Sequence, residues 1–196
     1  MALIQPVSEE RTTLDEARAA VLAVRLAELM GLYTRPAGAR IDRGVVEQVA
    51  QAVAVSGLAD RVGVGFGERP RTRRLVRPLL AALEASPAPA PEIRNLAAIL
   101  GLERLAELAG TSTPSLRRYA AGERATPDPV AQRIHFLAIL VALLRGSFNE
   151  FGVRRWFERP RSALDGQAPG ELLAGTWDPD DPGPRGLREL AEGLLS

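Results

Sequence analysis

Leucine and alanine carry most of the apolar content of this chain, aromatic residues make up only 5%, and strand-like alternation never runs beyond a few positions. Leucine and alanine are strong helix formers, and so lean a composition in aromatics disfavours sheets. The expected fold is therefore all-α. With 46% hydrophobic residues over 196 positions, the chain can bury a core as one long domain or two to three short ones.

The remaining composition acts by exclusion. There is no cysteine, which removes disulfides, thiolate zinc sites and cysteine nucleophiles. All 25 basic residues are arginine, yet the net charge is only +1, so any nucleic-acid contact must come from a local patch. The start, MALIQPVSEER, lacks the basic and apolar regions of a secretory signal, and apolar runs stop short of the roughly 18 residues a membrane span needs. A soluble cytoplasmic protein without a membrane partner is the expectation.

Three segments are expected: a helical N-terminal extension (1–88), a central helix-turn-helix unit (89–146) and a small helical C-terminal domain (147–196). In the first, Thr13–Glu16 has the spacing of a capping box. Leu14, Ala17, Val21 and Val24 then share a helical face, widened by Leu22, Leu26 and Leu29. Gly31 and Pro36–Gly38 stop that helix. Two more run from about Val45 to Val55 and from about Thr72 to Ala85. Ser86–Pro91 (SPAPAP) reads as a stiff, extended connector, because proline removes donors and fixes φ. A long apolar helix from about Pro129 through HFLAILVALL closes the middle segment before Gly146 and Ser147. Near the end, DPDDPGPRG reads as a turn or flexible loop, followed by a helix with Leu187, Leu190 and Leu194 at helical spacing.

Leu105–Pro127 reads LAELAGTSTPSLRRYAAGERATP. Leu105, Ala106 and Leu108 form the inner face of a supporting helix, and Ala109, Gly110 and Thr111 form a tight turn. Ser112 caps a second helix, with Pro114 early, where its missing N–H costs nothing. Leu116 and Tyr119 pin that helix to the core. Thr113, Ser115, Arg117 and Arg118 are left facing outward, Gly122 ends the helix, and Arg124 is within reach of a phosphate. Arginine pairs bidentately with guanine edges, and Ser or Thr reaches bases or phosphates. The candidate DNA-contact set is Ser112, Thr113, Ser115, Arg117, Arg118 and Arg124. A plain helical hairpin with solvated arginines is the other reading of the same residues.

Over Leu105–Pro127 the chain resembles the Xre (phage-repressor-like) helix-turn-helix family: LA-x-x-x-G-V-S, a Ser/Thr-rich start, an Arg-Trp or Arg-Tyr pair, a Gly and a Pro. It departs at Thr111, where Val is usual, and at Pro114, a position often used for base contact. Farther on, Trp156, Phe157, Pro160, Leu164, Gly166, Pro169, Leu172 and Leu173 follow W-F/L-x-x-P-x-x-x-L-x-G-x-x-P-x-x-L-L. This resembles the toxin-binding domain of the MbcA/ParS/Xre antitoxins over most of residues 147–196. The resemblance implies a C-terminal domain that docks on a RES-type toxin, a class that destroys NAD, and covers its active-site cleft. The contact set it implies is Trp156, Phe157, Pro160, Leu164, Gly166, Pro169 and Leu172, extended by Trp177, Asp178, Asp180 and Asp181. Those last four lie in TWDPDDPGPRG, which is longer and more acidic than the family's usual glycine-containing stretch.

Charge and aromatic content bear on that reading. Residues 165–196 hold seven acidic groups (Asp165, Glu171, Asp178, Asp180, Asp181, Glu189, Glu192) against Arg185 and Arg188. Such a tail complements a basic, nucleotide-binding cleft, and it equally suits solvated turns. Phe148, Phe151, Trp156 and Phe157 cluster closely, as interface anchors do, although core packing is expected for at least two of them. Arg61, Arg69, Arg71, Arg73, Arg74 and Arg77 form the strongest basic run, suited to DNA phosphates or to a solvated helix face. Gly63–Gly67 lacks the Gly-Lys-Ser/Thr of a P-loop and reads as a flexible turn. The single histidine, His135, sits in the apolar helix and is expected to be packed or hydrogen-bonded.

Together these features imply an antitoxin of a type II toxin–antitoxin pair. It would silence its toxin through residues 147–196 and repress its own operon through Ser112–Arg124. It would bind palindromic double-stranded operator DNA as a homodimer, or as a hetero-oligomer with the toxin. No catalytic constellation, cofactor or metal site is expected, since neither a G-x-S-x-G elbow nor metal-ligand spacing occurs. Two other readings stand: a stand-alone transcription regulator whose C-terminal domain only self-associates, and an interaction adaptor without DNA binding.

Overall fold

From Arg133 to Leu144 every residue of one helix is buried. A helix with no solvent-facing side must run through the middle of a fold, with other elements on all sides. The structure, a computed structural model, describes residues 14–36, 38–58 and 72–194, the side chains of residues 72–74 excepted. Among the described residues it is all-helical, with no strand. In chain order the helices are α1 (Leu14–Leu29), α2 (Arg43–Val55), α3 (Thr72–Glu84), α4 (Pro89–Leu100), α5 (Leu102–Leu108), α6 (Thr113–Ala121), α7 (Asp128–Leu144), α8 (Glu150–Glu158), α9 (Pro169–Leu172) and α10 (Pro182–Gly193). A short 3-10 turn at Ser162–Leu164 follows α8.

That helix is α7, buried along all but its first five residues, and it packs against α1, α4 and α10. α1, α2 and α3 pack on one another, while α4 carries α5, α6 and α8 along its length. One hydrophobic cluster runs from Leu22 to Ala191 and takes in residues of all three segments of the sequence. Each Leu or Ile fully buried in it contributes about 1.5–3 kcal/mol of transfer free energy. Polar ties reinforce the packing. The Asn95 side-chain amide in α4 donates to the carbonyls of Glu28 (3.1 Å) and Leu29 (2.9 Å) in the last turn of α1, where carbonyls lack the N–H donors of a following turn.

Three expectations are corrected. Ser86–Pro91 is not an extended connector: α4 begins at Pro89, so its last three residues are helical. The DPDDPGPRG stretch is likewise split, because α10 begins at Pro182. The reason is the same in both. A helix's first turn has unpaired N–H groups, so proline there loses nothing and its fixed φ suits the helix. On α1, the buried face is Leu22, Ala23, Val24, Leu26, Ala27 and Leu29, which includes the expected Leu22, Val24, Leu26 and Leu29, whereas Leu14 (67% exposed) and Ala17 in the first turns are exposed.

Some expectations lie outside the described residues: the Thr13 cap, Gly63–Gly67, Arg61, Arg69 and Arg71, and the side chains of Arg73 and Arg74. Arg77 is described and is exposed on α3.

Candidate nucleic-acid interface

Helices α5 and α6 are joined by a turn closed by local backbone hydrogen bonds. Gly110 takes φ +63°, the Gly110 N–H donates to Glu107 O (3.1 Å), and the Thr111 N–H donates to Ala106 O (3.0 Å). This is a Schellman ending, which satisfies the last carbonyls of α5 and suits glycine at the left-handed position. The Ser112 hydroxyl then accepts from the Ser115 N–H (3.3 Å), capping α6. Gly122 (φ +74°) closes α6 with the same pair of bonds, to Tyr119 O and Arg118 O. Leu105, Ala106 and Leu108 are buried beneath α5, and Leu116 and Tyr119 beneath α6.

That packing decides what α6 presents. Arg117 and Arg118 are exposed, as are Ser112 and Arg124, while Thr113 and Ser115 are half-buried. Thr113 and Arg117 are four apart and Ser115 and Arg118 three apart, so each pair shares a stretch of helix surface. Arg124 lies with its guanidinium 5.9 Å from the Tyr119 ring centroid. From behind, the Arg94 guanidinium donates to Ala120 O (2.6 Å), fixing the end of α6 to α4. The result is a rigid hairpin that displays three arginines and a hydroxyl.

The sequence pattern did not reveal what braces this hairpin. The buried Trp177 indole N–H donates to Leu108 O (2.9 Å), the last residue of α5. Arg133 of α7, 8% exposed, donates through Nε to Trp177 O (2.6 Å) and through Nη1 to Ala109 O (3.5 Å). Its guanidinium also lies 5.7 Å from the Trp177 ring centroid, and Phe136 meets the indole edge-on at 5.3 Å. A Cβ at Gly110 would lie 2.6 Å from Gly175 O, so the C-terminal segment presses on the turn itself. The one visible signal was an arginine inside an otherwise apolar helix, since a buried guanidinium requires acceptors.

The residues matched to the toxin-binding pattern divide by burial. Trp156 and Phe157 are each 1% exposed and pack edge-to-face at 5.1 Å. They, Pro169 and Trp177 are held inside the chain's own fold and offer almost no side-chain surface to a partner. Leu164 and Leu172 are half-buried, and Pro160, Gly166, Asp178, Asp180 and Asp181 are exposed. The aspartates are partly occupied. Asp181 accepts from the Asp178 N–H (2.8 Å), Asp178 accepts from the Asp180 N–H (2.9 Å), and Asp180 pairs with Arg185 (3.3 Å). Phe151, by contrast, is 59% exposed, with the Arg155 guanidinium 5.7 Å from its ring centroid.

His135 is packed and hydrogen-bonded at both nitrogens. Nδ1 lies 2.6 Å from Oε1 of Glu92, a carboxylate with no exposure, and Nε2 lies 2.9 Å from Glu84 O. A carbonyl can only accept, so Nε2 carries a proton. Burial, the largest influence, lowers the histidine pKa. The hydrogen bond and charge of Glu92, with Glu84's carbonyl and carboxylate, outweigh burial and raise it above the ordinary value. The Glu84 carboxylate also binds Arg188 of α10 (2.8 Å), so the network joins α3, α4, α7 and α10.

No cluster of three or more His, Cys, Asp or Glu suited to a metal occurs among the described residues. No helix among them is long and apolar enough to cross a membrane. The chain matches no family model, no curated protein and no solved structure.

Proposed function

We propose that this chain is a DNA-binding antitoxin that represses its own operon through α6 and silences a RES-type toxin through the C-terminal segment. The carrying observation is the hairpin of α5 and α6. Its apolar residues are spent on the core, while Arg117 and Arg118 stand exposed on one short, capped helix and Arg124 stands exposed just past its end. Such a helix, borne on a tight turn, is the geometry that enters a major groove. The toxin assignment rests on the C-terminal sequence pattern, with Pro160, Gly166, Asp178, Asp180 and Asp181 as its surface residues.

A second reading has an observation of its own. Trp156, Phe157 and Trp177 are buried, so the most conspicuous residues of the C-terminal pattern build the fold. That favours a stand-alone helix-turn-helix regulator without a toxin partner. Co-expression with the adjacent gene product, followed by affinity purification and a growth test, separates the two. A stable complex that rescues growth supports the antitoxin; no complex and no toxicity supports the regulator.

A further inference from the structure

Helix α6 is nine residues long and buries only Leu116 and Tyr119. Two apolar anchors one turn apart fix where a helix sits more firmly than how its ends point. Its direction depends on what holds those ends. At the C-terminal end, the Arg94 guanidinium donates to Ala120 O (2.6 Å). At the N-terminal end, the turn that leads into α6 is gripped from outside. The Trp177 indole N–H donates to Leu108 O (2.9 Å), and Arg133 Nη1 lies 3.5 Å from Ala109 O. A Cβ at Gly110 would stand 2.6 Å from Gly175 O and 2.9 Å from Arg133 Nη1. Three successive residues therefore meet Arg133 or the C-terminal segment. The two braces are also locked to each other, since Arg133 Nε donates to Trp177 O (2.6 Å). Both side chains are buried, at 8% and 5% exposure.

Buried hydrogen bonds are directional and costly to leave unmade, so the turn cannot shift without breaking them. The gripped end is also the one that reads. A recognition helix touches base edges with its N-terminal residues, which in α6 are Ser112, Thr113, Ser115 and Arg117. Bidentate pairing of an arginine with a guanine edge tolerates little displacement. Attraction to phosphates, by contrast, acts over a screening length of about 8–10 Å and tolerates a good deal. A reader whose turn has moved keeps the second kind of binding and loses the first.

We propose that Trp177 and Arg133 are positioning residues for sequence readout. They set the entry angle of α6 through the backbone of residues 108–110, so the C-terminal segment takes part in DNA recognition without touching DNA. The inference rests on the DNA-binding reading of α6 and is independent of the toxin assignment. The test starts with the duplex that the full wild-type chain enriches from a random pool. Affinities for that duplex and for a scrambled one are then measured for Trp177→Phe, Arg133→Met and Arg133→Lys, at a temperature where circular dichroism shows each variant folded. Trp177→Phe and Arg133→Met should each lose about tenfold or more on the selected duplex, while affinity for the scrambled one stays within about twofold. Arg133→Lys keeps one donor toward Trp177 O and should fall between wild type and Arg133→Met. Val49→Ala controls for a loss of stability alone: Val49 is fully buried in α2, which packs on α1 and α3. It should keep the wild-type ratio of the two affinities. An unchanged ratio in the folded Trp177 and Arg133 variants would overturn the proposal, as would an equal loss of ratio in Val49→Ala. A wild-type chain that enriches no duplex would overturn the DNA reading itself, and the proposal with it.

Discussion

The indole N–H of Trp177 donates to the backbone carbonyl of Leu108, 69 residues earlier and 2.9 Å away. Leu108 is the last residue of α5, where carbonyls lack helical partners, so a residue from the C-terminal segment completes the supporting helix of the hairpin. Trp177→Phe keeps an aromatic ring but removes the indole N–H and strands that buried carbonyl. A loss of about 1–3 kcal/mol in urea denaturation is expected. Wild-type stability in this variant would mean that the bond does not hold the segment.

Gly110 and Gly122 offer a matched comparison. Both have positive φ (+63° and +74°), but a Cβ at Gly110 meets Gly175 O at 2.6 Å and one at Gly122 meets nothing within 4 Å. Gly122→Ala should therefore cost only the left-handed strain, about 1 kcal/mol. Gly110→Ala carries that strain and must also displace the C-terminal segment. We expect it to be more destabilising by about 1 kcal/mol or more, with faster proteolysis between residues 174 and 181. Equal costs at the two sites would sink the claim that this contact is tight.

The hairpin was legible because its determinants are local. Gly110, Ser112 and Gly122 act within a few residues of themselves, and Leu116 and Tyr119 follow helical spacing. The prolines of Ser86–Pro91 and of DPDDPGPRG misled for a physical reason: proline breaks a helix everywhere except its first turn, and a proline-rich run does not show where that turn falls. The brace of Arg133 and Trp177 was illegible because it depends on tertiary contacts 44 and 69 residues apart, which periodicity cannot register. For the same reason Trp156 and Phe157 resembled surface anchors as readily as core residues until their burial was known. His135 was read correctly as packed, but its partner Glu92 lies 43 residues away and carried no sequence signal.

The His135–Glu92 pair sets a direction for pH dependence. The folded-state pKa of His135 lies above the ordinary histidine value of about 6.5. Its contribution is therefore fully present below that value and lost as pH rises through the folded-state pKa, where Glu92 is left buried beside a neutral ring. His135→Phe should lower stability by about 3–5 kcal/mol at pH 6, because it strands a buried carboxylate, and by less at high pH. Adding Glu92→Leu should recover much of the loss and flatten the remaining pH difference. A wild-type minus variant difference that grows with pH would contradict the pairing.

Arg117 and Arg118 provide the sharpest functional test because their side chains are exposed and hold no hydrogen bond or ion pair among the described residues. Replacing each with Ala should change folding stability by no more than about 0.5 kcal/mol. Ser112→Ala, which removes the α6 cap, should by contrast cost about 1 kcal/mol of folding stability. If α6 lies in a major groove, each arginine that contacts a phosphate should reduce the salt dependence of binding by about 0.9 in log–log slope. One that pairs with a guanine edge should instead relax specificity by about 1–3 kcal/mol at a single position. Binding of operator DNA by Arg117→Ala/Arg118→Ala, measured across a salt series, distinguishes these contributions. Affinity unchanged at every salt concentration would leave α6 a solvated helix and favour an adaptor that works through its other surfaces.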